Sequence, residues 1–305
     1  GKMQYGWYAD SNNNVYYLGE EDDGARTNSS WLWLAAPDSE DDDEKDAADA
    51  VSHDSQNDDD PCDEEGWYWF GSDGKMYKDA KQKKINGKYY YFNNHGQMLY
   101  EWINGVKANV ASNAKLDSDS IEATASEVRY MNVVEEGWRA DGWYQIDGAW
   151  YFMNADGSLK QNESFLYDNN LYFVNKSGKM YQNQWLKWDG NYYYLRSWGG
   201  AAHEGWLLLQ NKYYYINEDC TRKTDEAFTY DNNLYFVDEN GVMPANQWVI
   251  RDGVWYFTYS WGGARKSQWF YYKNNWYYFN DDASMQTGWA EIDGKTYYFQ
   301  SWGGC

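Results

Sequence analysis

One aromatic phrase recurs along this chain at a nearly constant interval. "DGNYYYLRSWGG" (189–200) returns as "DGVWYFTYSWGG" (252–263) and again as "DGKTYYFQSWGG" (293–304). Aligned on the aromatic that opens each first strand, units begin at Trp143, Phe165, Trp185, Trp206, Phe228, Trp248, Trp269 and Trp289. Their spacings are 22, 20, 21, 22, 20, 21 and 20 residues. A fixed period of this length marks a repeat architecture, in which each unit packs chiefly on its neighbours. Less regular units open at Trp7, Trp31 and Trp102.

Every unit reads as strand, two-residue turn, strand and polar loop. The turns are assigned to Asn86-Gly87, Asp147-Gly148, Asp189-Gly190, Asp252-Gly253 and Asp293-Gly294, and to Asn169-Asn170, Asn232-Asn233 and Asn274-Asn275. Such pairs tolerate positive φ and close tight hairpins. Second strands include "KYYYF" (88–92), "AWYFM" (149–153) and "NWYYF" (275–279). One hairpin is marginal in water, but stacked hairpins bury one another's faces. With 20 Trp and 32 Tyr among 305 residues, and aliphatics sparse, the buried surface must come largely from rings.

A longer period lies above the short one. "FLYDNNLYFV" (165–174) recurs as "FTYDNNLYFV" (228–237), and "NQWLKWDG" (183–190) as "NQWVIRDG" (246–253), each 63 residues on. Three units therefore form a super-unit, and a superhelix with three hairpins per turn explains it most simply. The expected fold is all-β, a solenoid of stacked hairpins with about 20 residues per repeat. Both chain ends cut across a unit, so the sequence reads as part of a longer array.

Two insertions break the rhythm. Residues 38–65 hold 15 Asp or Glu and one Lys, a charge of −14 in a chain of net −22. They separate "WLWLA" (31–35) from its expected partner "GWYWF" (66–70), and the loop 36–65, poor in aromatics, is expected to be disordered. The second insertion spans 104–136, and within it "DSIEATASEVRYM" (119–131) predicts a short helix, with Asp119 and Glu122 in capping-box spacing. This divides the chain into N-terminal repeats (1–103), the insertion (104–136) and a regular array (137–305).

Several functions are excluded. The acidic balance and the lack of a basic stripe argue against nucleic acid. No run of 18 apolar residues provides a membrane span, and the N-terminus has no signal-peptide pattern. Cys62, Cys220 and Cys305 and the three scattered histidines lack metal-type spacing, so no metal or cofactor is expected. No acidic stretch has the EF-hand's internal Gly and terminal Glu. No nucleophile–base constellation, HExxH, Walker loop or GxSxG is present, which argues against an enzyme.

"TGWAEIDGKTYYF" (287–299) and "GWYQIDGAWYFMNADGSLKQ" (142–161) resemble the choline-binding, or cell-wall-binding, repeats of Gram-positive surface proteins. The resemblance covers most of the chain outside the insertions and extends to glucan-binding repeats. It implies a left-handed β-solenoid and ligand cages between consecutive hairpins. Rings of such a cage attract a quaternary ammonium by cation–π contact. Carried over by motif, the candidates are Trp185 with Tyr192 and Trp206, Trp206 with Tyr213, Trp248 with Trp255 and Trp269, and Trp269 with Trp276 and Trp289. The Phe heads at 165 and 228 weaken any cage there. Trp198, Trp261 and Trp302, in SWGG loops where the family has a polar loop, either add a wall to a site or plug it.

The reading is a secreted, non-enzymatic module on a bacterial cell surface, binding choline-bearing teichoic acid. A glucan is the rival ligand. A third reading is an adhesin whose insertions contact a host protein, since loops on a rigid array often carry function.

Overall fold

The computed structural model describes residues 3–53, 65–104 and 128–305. Among them, twelve two-stranded sheets each pair a strand with its sequence neighbour. In chain order the hairpins are β1 (Trp7–Ala9) with β2 (Val15–Tyr17), β3 (Ser30–Leu34) with β4 (Gly66–Phe70), β5 (Ala80–Ile85) with β6 (Lys88–Phe92), and β7 (Trp102–Asn104) with β8 (Val128–Tyr130). Then follow β9 (Gly142–Ile146) with β10 (Ala149–Met153), β11 (Glu163–Tyr167) with β12 (Asn170–Val174), β13 (Gln184–Trp188) with β14 (Asn191–Leu195), and β15 (Gly205–Leu209) with β16 (Lys212–Ile216). The last four are β17 (Glu226–Tyr230) with β18 (Asn233–Val237), β19 (Trp248–Arg251) with β20 (Val254–Phe257), β21 (Gln268–Tyr272) with β22 (Asn275–Phe279), and β23 (Gly288–Ile292) with β24 (Lys295–Phe299). All the expected hairpins are present, including the pairing of Trp31 with Trp69 across the acidic segment.

Two compact units divide the chain: Gly1–Phe165 with Phe173–Met180, and Leu166–Tyr172 with Tyr181–Cys305. Within each, one backbone bond repeats between successive hairpins. After its second strand the chain loops round and makes a single bridge back to that strand, as Ile216 does with Arg222 and Phe279 with Met285. The bridging residue then donates its N–H to the preceding hairpin. In the first unit Met76 bonds the Val15 carbonyl, Met98 that of Trp67, Leu159 that of Val128 and Met180 that of Trp150. In the second, Ala201, Arg222, Met243, Ala264 and Met285 bond the carbonyls of Leu171, Tyr192, Tyr213, Leu234 and Trp255.

Side chains follow the period of two. On β15/β16, Trp206 and Tyr213 share one face, and Tyr214 lies on the other. That second face is turned to the hairpin before. Seven tryptophan heads meet the third residue of the next second strand: Trp7 with Tyr68, Trp31 with Tyr90 and Trp102 with Tyr151 in the first unit, and Trp185 with Tyr214, Trp206 with Tyr235, Trp248 with Tyr277 and Trp269 with Tyr297 in the second. Ring centroids stand 4.8–5.0 Å apart in all seven pairs. The core of each unit is thus a file of steeply inclined rings, at 55–72° to one another, with fully buried phenylalanines such as Phe70, Phe92, Phe257, Phe279 and Phe299.

The acidic segment corrects an expectation. Within it residues 45–51 form a helix, α1 (Lys45–Val51), instead of a disordered loop. Ala47, Ala48 and Val51 fall on one helical face and are buried; Ala47 and Val51 pack in the cluster of Trp7, Val15, Tyr68 and Phe70. Three small apolar residues in a run of carboxylates are enough to anchor about two turns of helix. The helix expected at 119–131 lies mostly outside the described residues, but Val128–Tyr130 at its end is strand, paired with Trp102–Asn104. In both places the extra chain joins the two paired strands of one hairpin, β3 to β4 and β7 to β8, where a connection can lengthen without disturbing the register.

Three turns also shift by one residue. The left-handed pairs are Asp168-Asn169, Asp231-Asn232 and Lys273-Asn274. The asparagine that follows each pair opens the second strand, and its side-chain amide donates to the first turn carbonyl, as from Asn170 to Asp168 at 2.8 Å. Asp147-Gly148, Asp189-Gly190, Asp252-Gly253 and Asp293-Gly294 have positive φ at both positions, as their sequences require.

Candidate functional site

Stacking leaves a recess beside several of the tryptophan heads. The head and the second residue of the following strand lie diagonally on one face of their hairpin. Four such pairs stand nearly perpendicular: Trp143 with Trp150, Trp206 with Tyr213, Trp248 with Trp255, and Trp269 with Trp276, at 6.1–6.5 Å and 83–87°. The next hairpin supplies the third ring, the tyrosine already described, and the bridging residue closes the side. Four groups so placed are Trp206, Tyr213, Tyr235 and Met243; Trp248, Trp255, Tyr277 and Met285; Trp269, Trp276, Tyr297 and Cys305; and, in the first unit, Trp31, Trp67, Tyr90 and Met98. The bridging N–H stands on the second ring's own carbonyl, 2.8–2.9 Å away in each.

Two of these recesses are open clefts. One, of about 400 Å³, is lined by Trp269, Trp276, Tyr297 and Cys305. The other, of about 240 Å³, is lined by Trp31, Trp67, Tyr90 and Met98 with Trp138 and the carboxylates of Glu135 and Glu136. Ring faces are electron-rich, and two carboxylates add to that field, so such a recess favours a cation with an apolar surface. Burial pushes the phenols of Tyr90, Tyr235 and Tyr277 above their ordinary range, so these walls stay neutral at physiological pH.

The sequence-derived groups are met in part. Trp185 lies with Tyr192, Trp206 with Tyr213, Trp248 with Trp255 and Trp269 with Trp276. The wall from the next hairpin, however, is a tyrosine and not the next head. Trp206 and Trp269 share their own hairpin's outward face, and what they turn back toward the preceding hairpin is the opposite face. Trp289 is 73% exposed and packs on Tyr298 of its own hairpin. The Phe-headed hairpins have Leu171 and Leu234 at the second ring position and Ala201 and Ala264 as bridging residues, so no cage of rings forms there. Sequence reasoning missed the Trp31 recess and the bridging methionines. A Met thirty or thirty-one residues after the second ring was the available signal.

The SWGG loops have the same backbone as the polar loops they replace. Tyr259 N–H donates to Gly263 and Gly262 N–H to Tyr259, as Asn154 does to Ser158 and Gly157 to Asn154. The second glycine of each motif makes room for the tryptophan: a Cβ on Gly200, Gly263 or Gly304 would overlap the ring of Trp198, Trp261 or Trp302. Folded back in this way, the rings stay about half exposed and stand edge-on against Tyr172, Tyr235 and Tyr277. Trp261 and Trp302 therefore extend the tyrosine walls of the Trp206 and Trp248 recesses. Among the described residues no group of His, Cys, Asp or Glu is placed to hold a metal, and no helix is long and apolar enough to cross a membrane.

Hairpins stacked face to back, with aromatic recesses at several of their junctions, define a repeat-built binding protein. The sequence profile of the choline-binding repeat matches residues 266–304, and that of the cell wall binding repeat matches 62–76, 83–98, 141–159 and 183–201. The matched segments are repeats of this choline-binding, cell-wall-binding family. No curated protein matches it by sequence. Among solved structures it is similar to choline binding protein F of Streptococcus pneumoniae, crystallised in the presence of a peptidoglycan analogue, at 22% identity over 93% of each chain and a TM-score of 0.58. CbpJ of the same species is similar over 98% of this chain and 99% of its own, at 18% identity and a TM-score of 0.60. The modular autolysin LytC, also pneumococcal, is matched over 96% of this chain at 22% identity and a TM-score of 0.50. This chain spans 51% of that autolysin's length. At these identities the likeness shows the fold, a solenoid of hairpins.

Proposed function

We propose that the module is non-enzymatic and attaches its parent protein to choline-bearing teichoic acid on the outer surface of a Gram-positive bacterium. The supporting observation is the recurrence of one recess, made of two perpendicular rings, a third from the next hairpin and a sulfur-bearing side chain. Each ring contributes about 0.5–2 kcal/mol to holding a cation, so one recess binds in the roughly millimolar range. Several recesses on one chain, engaging a polymer together, convert such contacts into firm attachment. The pneumococcal relative solved with a peptidoglycan analogue supports the cell-wall assignment.

Calorimetric titration with choline chloride tests this, with glucose oligomers as the parallel arm. Trp255, 41% exposed at the mouth of its recess, separates ligand contact from packing. Trp255→Ala is expected to remove one bound choline per chain and to lower stability by less than about 1 kcal/mol, as for a surface position. Saturable binding of glucose oligomers with no response to choline would overturn the assignment and make the half-exposed Trp198, Trp261 and Trp302 the contact surface for a glycan.

A further inference from the structure

One recess carries its own cation. Arg222 is the bridging residue beside Trp185, Tyr192 and Tyr214. Its N–H bonds the Tyr192 carbonyl at 2.8 Å, as Met243 bonds Tyr213 at 2.9 Å and Met285 bonds Trp255 at 2.8 Å. Its stem lies where theirs do. A Cβ on Gly241 would strike the Arg222 stem, just as one on Gly262 would strike Met243 and one on Gly303 would strike Met285. The difference lies beyond the stem. The guanidinium carbon stands 4.3 Å from the Tyr192 centroid and 5.0 Å from that of Trp185. Both distances are within cation–π reach. Its Nε is buried and has no hydrogen-bond partner among the described residues, so the rings are what the group rests on.

The same choice of residue gives the same geometry a second time. In the first unit the N–H of Arg139 bonds the Tyr89 carbonyl at 2.8 Å, and its guanidinium carbon lies 4.5 Å from the Tyr89 centroid. An arginine at the bridging position thus folds onto the second-strand ring instead of extending into water.

We propose that Arg222 is a resident cation that closes the Trp185–Tyr192–Tyr214 recess to quaternary ammonium ligands, so that a single side chain decides which of the successive recesses bind. A ligand ammonium arriving there meets occupied ring faces and a like charge, whereas beside Met243 and Met285 the nearby cations Lys223 and Arg265 lie over Tyr215, Phe228 and Phe257 and leave the recess rings themselves uncovered. Arginine is strongly basic, so the closure holds across the physiological pH range. This inference rests on the choline reading of the open recesses.

The test is the number of choline molecules bound per chain, measured by equilibrium dialysis with choline chloride on the whole chain and two variants, each checked for fold by near-ultraviolet circular dichroism. Arg222→Met places the neighbouring recesses' own residue at this position and is expected to bind one more choline than the wild-type chain. Met243→Arg is the reciprocal change and is expected to bind one fewer. Equal counts for folded Arg222→Met and wild type overturn the proposal. If that variant fails to fold, a folded Met243→Arg that keeps the full count overturns it instead. A wild-type chain that binds no choline overturns the choline reading itself; an Arg222→Met variant that then binds one choline still supports closure by Arg222.

Discussion

At the residue scale, the two glycines of an SWGG loop answer different demands. Gly262 has φ +98°, a conformation costly for any residue with a Cβ, and Met243 lies where that Cβ would be. Gly263 has ordinary φ, and only the half-exposed Trp261 ring stands in the way. Gly262→Ala is therefore expected to lower stability by about 1–3 kcal/mol. Gly263→Ala is expected to cost less, because the ring can swing out. Urea unfolding separates the two in magnitude. Tryptophan fluorescence separates them in kind, since only Gly263→Ala should shift emission to the red. A motif that reads as a single four-letter word is thus one backbone requirement followed by one clearance.

At the element scale, the hairpins and α1 are held by different means. A hairpin is fixed by its left-handed turn pair and by the bridging bond to its predecessor, both of which recur wherever the period does. The helix has no side-chain N-cap and is seven residues long, too short to stand alone. Burial of Ala47, Ala48 and Val51 against the first hairpins holds it. Val51→Asp puts an unpaired carboxylate into that contact and is expected to release the helix while the repeats stay folded. Limited proteolysis reads this directly, as faster tryptic cleavage after Lys45 with no change in near-ultraviolet dichroism of the array beyond the Trp7 signal.

At the scale of the whole molecule, a core built from tyrosine titrates. Burial raises the phenols of Tyr90, Tyr151, Tyr172, Tyr235 and Tyr277, among others, above the ordinary value of 10.0. A group whose folded pKa is raised contributes stability that is complete below its unfolded pKa and is lost as pH climbs through the folded one. The protein is therefore expected to keep its stability up to about pH 10 and to lose it steeply above. The thermal midpoint followed against tyrosinate absorbance checks this: the two should change together, several tyrosines ionising as the fold opens. A core of aliphatic residues would show no such alkaline limit.

The spacing of aromatic heads determined by itself that this chain is a stack of hairpins, because a regular period of strand, turn and strand has few other ways to bury its rings. It also placed the heads and second-strand rings on one face of each hairpin, by the period of two. What the next hairpin brings to them was decided only by the stack. Face meets back, so the third wall comes from the next second strand, as Tyr235 and Tyr277, and not from the next tryptophan head. The bridging residue joins them across thirty positions of chain, too far for a local pattern to disclose. The acidic segment likewise reads as solvated until Trp7 and Val15 give Ala47 and Val51 something to cover. The identity of Arg222 is plain in the sequence. That its charge lies on the rings of Tyr192 and Trp185 is a property of the folded junction alone.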